Sequence, residues 1–108
     1  MFGFFKKKKL YEEICKDAGM ALSDGLLAQG LARNKIEAMG AGAVFSQSLR
    51  EAVSQGYKSS DAIAEARKNT SHHLAARGFD FETIASAIDV FCTATAFESM
   101  LDLARDKG

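Results

Sequence analysis

The sequence predicts an all-α fold, on three observations. Proline is absent from all 108 residues, which removes the residue most disruptive to helices and leaves glycine to punctuate the chain. Apolar residues recur at three- and four-residue spacing along most of its length, the period of a helix face and not of a strand. The last third contains 79–105, FDFETIASAIDVFCTATAFESMLDLAR, which reads as one long, mostly buried helix. The expected architecture is a compact bundle of four to five helices with a long C-terminal core helix at about 80–106, roughly 40 Å long at 1.5 Å per residue.

The domain plan has two parts: residues 1–9 as a flexible basic and aromatic arm, and 10–108 as a single helical domain. The arm, MFGFFKKKK, places Phe2, Phe4 and Phe5 ahead of Lys6, Lys7, Lys8 and Lys9. A secretory signal has its charges before a long apolar run and ends at a cleavage site, so this order is not one. Gly3 is one residue too far from the start for myristoylation. Three readings stand: a frayed, solubilising end, an arm whose phenylalanines dock in a neighbouring apolar groove of this molecule or of a partner, and a tether to an anionic membrane surface. For the last, each lysine would contribute about 1 kcal/mol, and stable anchoring would take a second signal.

Residues 10–22 form the first expected helix, with Leu10, Ile14, Ala18, Ala21 and Leu22 on one face and Glu12, Glu13, Lys16 and Asp17 on the other. The lysine run just ahead has the wrong sign for a helix N-terminus. Ser23 suits the N-cap of a second helix over 23–38, whose apolar face comprises Leu27, Ala28, Leu31, Ala32, Ile36, Ala38 and Met39. One continuous helix over 10–39 is the alternative. Gly40 and Gly42 mark a helix break or a tight helix crossing: Phe45 stands where a dinucleotide loop has its third glycine, and no strand precedes.

A third helix is expected over 43–55 with Phe45, Leu49, Ala52 and Val53 inward, stopped by Gly56. Residues 57–59 read as a loop. Ser60 caps a fourth helix carrying Asp61 in its first turn and Ile63, Ala66, Thr70, His73 and Leu74 on its inner side, closed by Gly78. In the final helix Asp80 is the N-cap, with Phe79 and Ile84 at the two positions of a hydrophobic staple. Phe81, Ile84, Ala85, Ile88, Phe91, Cys92 and Thr95 form one apolar stripe, and Val90, Ala94, Phe97 and Leu101 a second. Its core or interface residues are therefore Phe81, Ile84, Ile88, Phe91, Phe97 and Leu101. Asp89 and the Ala, Ser and Thr content leave it short of the roughly 20 apolar residues of a membrane span.

Net charge is zero, but Lys6–Lys9 supply four of the fourteen basic residues, leaving ten against fourteen acidic ones from Leu10 onward. An acidic body argues against general nucleic-acid binding, which calls for a basic face. Cys15 and Cys92 each fall in an apolar helix face, so two reduced, buried thiols of a cytosolic protein are expected and not a disulfide. His72 and His73 are adjacent and point about 100° apart on a helix, unsuited to sharing a metal. His72 with Glu65 and Asn69 gives an incomplete ligand set. No arrangement of Ser, Cys, His, Asp or Glu marks a nucleophile with its base.

The segment 73–88, HLAARGFDFETIASAI, resembles the helix-turn-helix of DNA-binding regulators: a glycine closing one helix, a short turn, then a second helix. The resemblance implies that the front of the second helix meets bases and phosphates. Here that helix carries Asp80, Glu82 and Asp89, with no lysine or arginine before Arg105, and its negative charge would repel a phosphate backbone.

The functional expectation is a non-enzymatic, cytoplasmic protein–protein interaction module, an adaptor, regulator or inhibitor of a partner, forming a homodimer and needing neither cofactor nor metal. The first alternative is a protein recruited to the inner membrane surface by its Phe/Lys arm. The second is a helix-turn-helix regulator.

Overall fold

The computed structural model describes residues 2–91 together with 99, 100 and 102, and the side chains among them of 12–80, 82–87, 99, 100 and 102. The described residues form four α-helices and no strand: α1 (Phe2–Ala28), α2 (Lys35–Ser54), α3 (Ser59–Ala76) and α4 (Phe81–Phe91). Ser99, Met100 and Asp102 are also helical. The expected continuation of the last helix through Cys92, Ala94, Thr95, Phe97 and Leu101 lies outside the described residues.

One device ends the first three helices. Gly30, Gly56 and Gly78 have φ of 67°, 87° and 92°, the left-handed region that a side chain disfavours. After each glycine a large residue donates its backbone N–H five residues back: Leu31 to Leu26 at 2.9 Å, Tyr57 to Ala52 at 3.1 Å, Phe79 to Leu74 at 3.2 Å. The glycines themselves donate to Leu27, Val53 and Ala75. These are Schellman motifs, and the half-buried Leu31 and Phe79 pack on the core.

The reading of Ser23 as an N-cap is corrected. Ser23 is buried inside α1, which runs on until Gly30, and α2 begins instead at Asn34, whose Oδ1 accepts from the Glu37 N–H at 2.8 Å. Asn34 and Glu37 have the spacing of a capping pair, and the Glu37 carboxylate turns back to the Arg33 N–H at 3.1 Å. The expected start of the first helix at Leu10 moves to Phe2, because residues 2–9 contain nothing that stops a helix once the lysines' unfavourable dipole interaction, about 0.3–1 kcal/mol each, is outweighed. Gly40 and Gly42 do not break the chain; both lie within α2. Ser60 is not a cap either, since α3 starts at Ser59 with no side-chain cap. Asp80 does cap α4, accepting from the Thr83 N–H at 2.7 Å.

Packing follows from these stops. Short turns make consecutive helices antiparallel: α1 packs on α2, α2 on α3, and both α1 and α3 touch α4. Ile14, Cys15, Ala18, Leu22 and Leu26 of α1 meet Ala38, Ala41, Phe45, Leu49 and Ala52 of α2, with Ala62, Ile63, Ala66 and Leu74 of α3 and Ile84 and Ala87 of α4. Ala85, expected in the stripe, is exposed, and Ala87, one turn on from the buried Ile84, takes the inward place. Burying each large apolar side chain contributes about 1.5–3 kcal/mol.

The closest approach is between α1 and α2. A Cβ placed on Gly42 would collide with the Gly19 carbonyl oxygen and lie 3.2 Å from Ser23 Cβ; one on Gly19 would collide with the Gly42 carbonyl and lie 2.9 Å from Ser46 Cβ. The tight crossing expected from Gly42 is therefore present, with Gly19 as its other half. Arg33 ties the far ends together: its guanidinium donates to the Arg77 carbonyl at 3.1 Å and lies 6.0 Å from the Phe79 ring centroid. The α1–α2 and α3–α4 turns thus share one end of a molecule measuring 45 × 22 × 20 Å.

Candidate functional site

The most distinctive surface is apolar and includes three residues that helical periodicity assigns to the interior, Leu27, Ile36 and Met39. Ile36 is 84% exposed, Met39 56%, Met20 53% and Leu27 37%. Their positions follow from the Gly19–Gly42 contact. On α1, Gly19 and Ser23 face α2; at 100° per residue Met20 and Leu27 lie about 60–80° further round, away from the buried Ile14–Ala18 side. On α2, Gly42 and Ser46 face α1; Met39, Ala43 and Ile36 lie about 40–100° beyond them, away from Ala41 and Phe45. Both sets flank the same seam on its outer side.

The interior reading of this run failed because its apolar residues belong to three elements. Leu27 and Ala28 end α1, Leu31 and Ala32 form the turn, and Ile36, Ala38 and Met39 open α2. Only Ala32 and Ala38 are buried, with Leu31 partly so. The glycine-then-large-apolar pair at Gly30 and Leu31, repeated at Gly56 and Gly78, and the Asn34-to-Glu37 spacing were the signals for the division.

Compared with known protein families, curated proteins and solved structures, the chain matches none. What the site can do is read from its chemistry alone.

Phe2, Phe4, Phe5 and Lys6–Lys9 occupy the first two turns of α1; their side chains lie outside the described part, as do those of Phe81, Ile88 and Phe91. Phe97 and Leu101 lie outside the described residues. Ile84 is buried against the core.

Chemistry elsewhere is sparse. Cys15 is a free thiol in the core. Burial pushes its pKa up to about 11, with Arg50 lowering and Glu12 raising it, so it stays protonated and unreactive. Cys92 lies outside the described residues. His72 is exposed and His73 half-buried, with His73 Nε2 3.8 Å from the place of a Cβ on Gly40. Asn69, read with His72 as a partial ligand set, donates to Ser48 Oγ at 3.2 Å. Among the described residues no group of three or more His, Cys, Asp or Glu side chains could hold a metal.

An open depression of about 540 Å³ beside the start of α3 is lined by Tyr57, Lys58, Asp61, Glu65 and Lys68. Its two ammonium and two carboxylate groups offset one another and favour neither an anion nor a cation. At the front of α4, Asp80 and Glu82 are both exposed. Among the described residues no helix is long and apolar enough to cross a membrane.

Proposed function

We propose that this protein is a non-enzymatic, cytoplasmic protein–protein interaction module, an adaptor, regulator or inhibitor that self-associates. The observation that carries this reading is the exposed apolar seam of Met20, Leu27, Ile36 and Met39. Isolated exposed apolar residues are ordinary; four of them bordering one helix crossing form a patch of the kind that marks contact sites. Methionine suits such a surface because its flexible thioether adapts to a partner's shape.

The scaffold in this proposal is an up-and-down bundle whose last helix runs on to about residue 106. Ser59 Oγ donates to Asp102 Oδ1 at 2.7 Å. Ser59 opens α3, and α4 returns antiparallel to it, so a continuous helix would bring residues near 102 level with Ser59. This supports the long C-terminal helix.

The test is affinity capture from native extract with the full chain and with the I36E/M39E double variant. A protein retained by the wild-type chain and lost with the variant is expected. Equal retention by both, or none by either, removes the reading.

A second reading, recruitment to an anionic membrane surface, draws support from register. With Gly19 opposite Gly42, equal rise along antiparallel helices brings residue 7 level with Ser54, so residues 2–6 run past the end of α2. Co-sedimentation with anionic vesicles should then fall sharply when Lys6–Lys9 are changed to glutamine and when salt is raised. Binding insensitive to both changes, or absent, refutes it. The helix-turn-helix reading gains nothing comparable, since the carboxylates at the front of α4 oppose a phosphate backbone.

A further inference from the structure

We infer that the outer face of the α1–α2 pair is the contact between two copies of this chain, packed seam to seam about a two-fold axis. The inference rests on the interaction-module reading and specifies both its surface and its occupant.

Area favours a second copy. Taken with their exposures, Met20, Leu27, Ile36 and Met39 leave on the order of 400 Å² of apolar surface open, as large as the principal patch of an ordinary monomer. A standard interface buries about 800 Å² per partner, somewhat over half of it apolar, or about 450 Å². The four side chains with the exposed Ala43 nearly supply that amount.

Shape and charge agree. Large residues border a small one: at 100° per residue the exposed Ala43 shares the outer face of α2 with Met39 and Ile36. A two-fold contact requires one surface to fit itself, and knobs bordered by hollows satisfy this when two helix pairs stack as a four-helix layer. The seam residues Gly19, Ser23, Gly42 and Ser46 carry no charge. The exposed Lys16, Asp24, Lys35 and Arg50 lie around them, the arrangement of an apolar centre with a polar rim. A strongly charged partner would find no counter-charge at that centre.

Sedimentation equilibrium of the full chain, from about 1 to 300 µM, tests the inference. The wild-type chain is expected to approach twice its monomer mass. The I36E/M39E variant should weaken association at least 100-fold while keeping its helical circular dichroism; both positions are exposed, so the folded monomer tolerates the carboxylates. M20K, with a charge of opposite sign at the same seam, should weaken it as well. A wild-type monomer across the range, or a dimer that all these variants leave intact, overturns the inference. If a monomeric wild-type chain still captures another protein through Ile36 and Met39, the second copy is the wrong occupant and the interaction-module reading stands. A monomer that captures nothing ends both.

Discussion

Replacing Gly42 by alanine tests the crossing on which the whole surface depends. In an unobstructed helix the substitution would stabilise by up to about 1 kcal/mol, because alanine loses less backbone entropy than glycine. Here the new methyl meets backbone: the Gly19 carbonyl oxygen inside any permissible contact, the Gly19 carbonyl carbon at 3.1 Å, and Ser23 Cβ at 3.2 Å. Neither a carbonyl nor a Cβ can rotate away, so α1 and α2 must part by about 1 Å, a gap that forfeits a quarter to a half of each dispersion contact along the seam. Overpacking of this kind costs about 1–3 kcal/mol, more than the propensity gain. We expect a net loss of about 1 kcal/mol and a melting midpoint about 6 °C lower, at roughly 4–8 °C per kcal/mol for a chain near this size. Gly40 supplies the control in the same helix. A Cβ there meets only His73 Nε2 at 3.8 Å, ordinary contact, so G40A should raise stability by about 0.5–1 kcal/mol. Thermal and urea unfolding followed by circular dichroism would read both. G42A as stable as the wild-type chain would mean that the helices do not touch at Gly19 and Gly42, and the seam geometry would fall with it.

R33A should lower stability by about 0.5–1 kcal/mol in urea unfolding. It removes the bond to the Arg77 carbonyl and the contact with Phe79, whereas the Glu37 ion pair at 3.9 Å, with Arg33 70% exposed, contributes little. Asp80 gives a pH dependence: the Thr83 hydroxyl and then the Thr83 backbone N–H hold its carboxyl below the ordinary value of 3.8. A depressed folded pKa means stability that is present above the unfolded value and lost as pH falls through the folded one. The difference between wild type and D80N should therefore be constant above about pH 5 and shrink below 3.8; a difference that does not change with acid would show that the cap carries no charge-dependent stability. Cys15 should resist alkylation at pH 8 in the native chain and react at the normal rate in urea, followed by mass spectrometry of its peptide. Rapid native labelling would contradict its burial.

Much of this protein was legible before its structure. The missing proline, the helical period, the helix-closing Gly56 and Gly78 and the helix-opening Asp80 act locally, through backbone angles and first-turn amides, and such effects are written in neighbouring residues. The inward positions of Phe45, Leu49, Ala52, Ile63, Ala66 and Leu74 followed from period alone, since within one helix the buried face is set by spacing. Apart from the start of the first helix, the Ser60 cap and the place of Ala85, failure fell within 23–42, where the apolar residues are so dense that a stripe can be drawn through either of two helix divisions. There the sequence determined that Leu27, Ile36 and Met39 are apolar, and only the tertiary structure decided that they face outward. The physical reason is a contact between residues 23 apart: Gly19 and Gly42 bring two backbones together, the side chains nearest that contact turn inward, and those just beyond it are left on the surface.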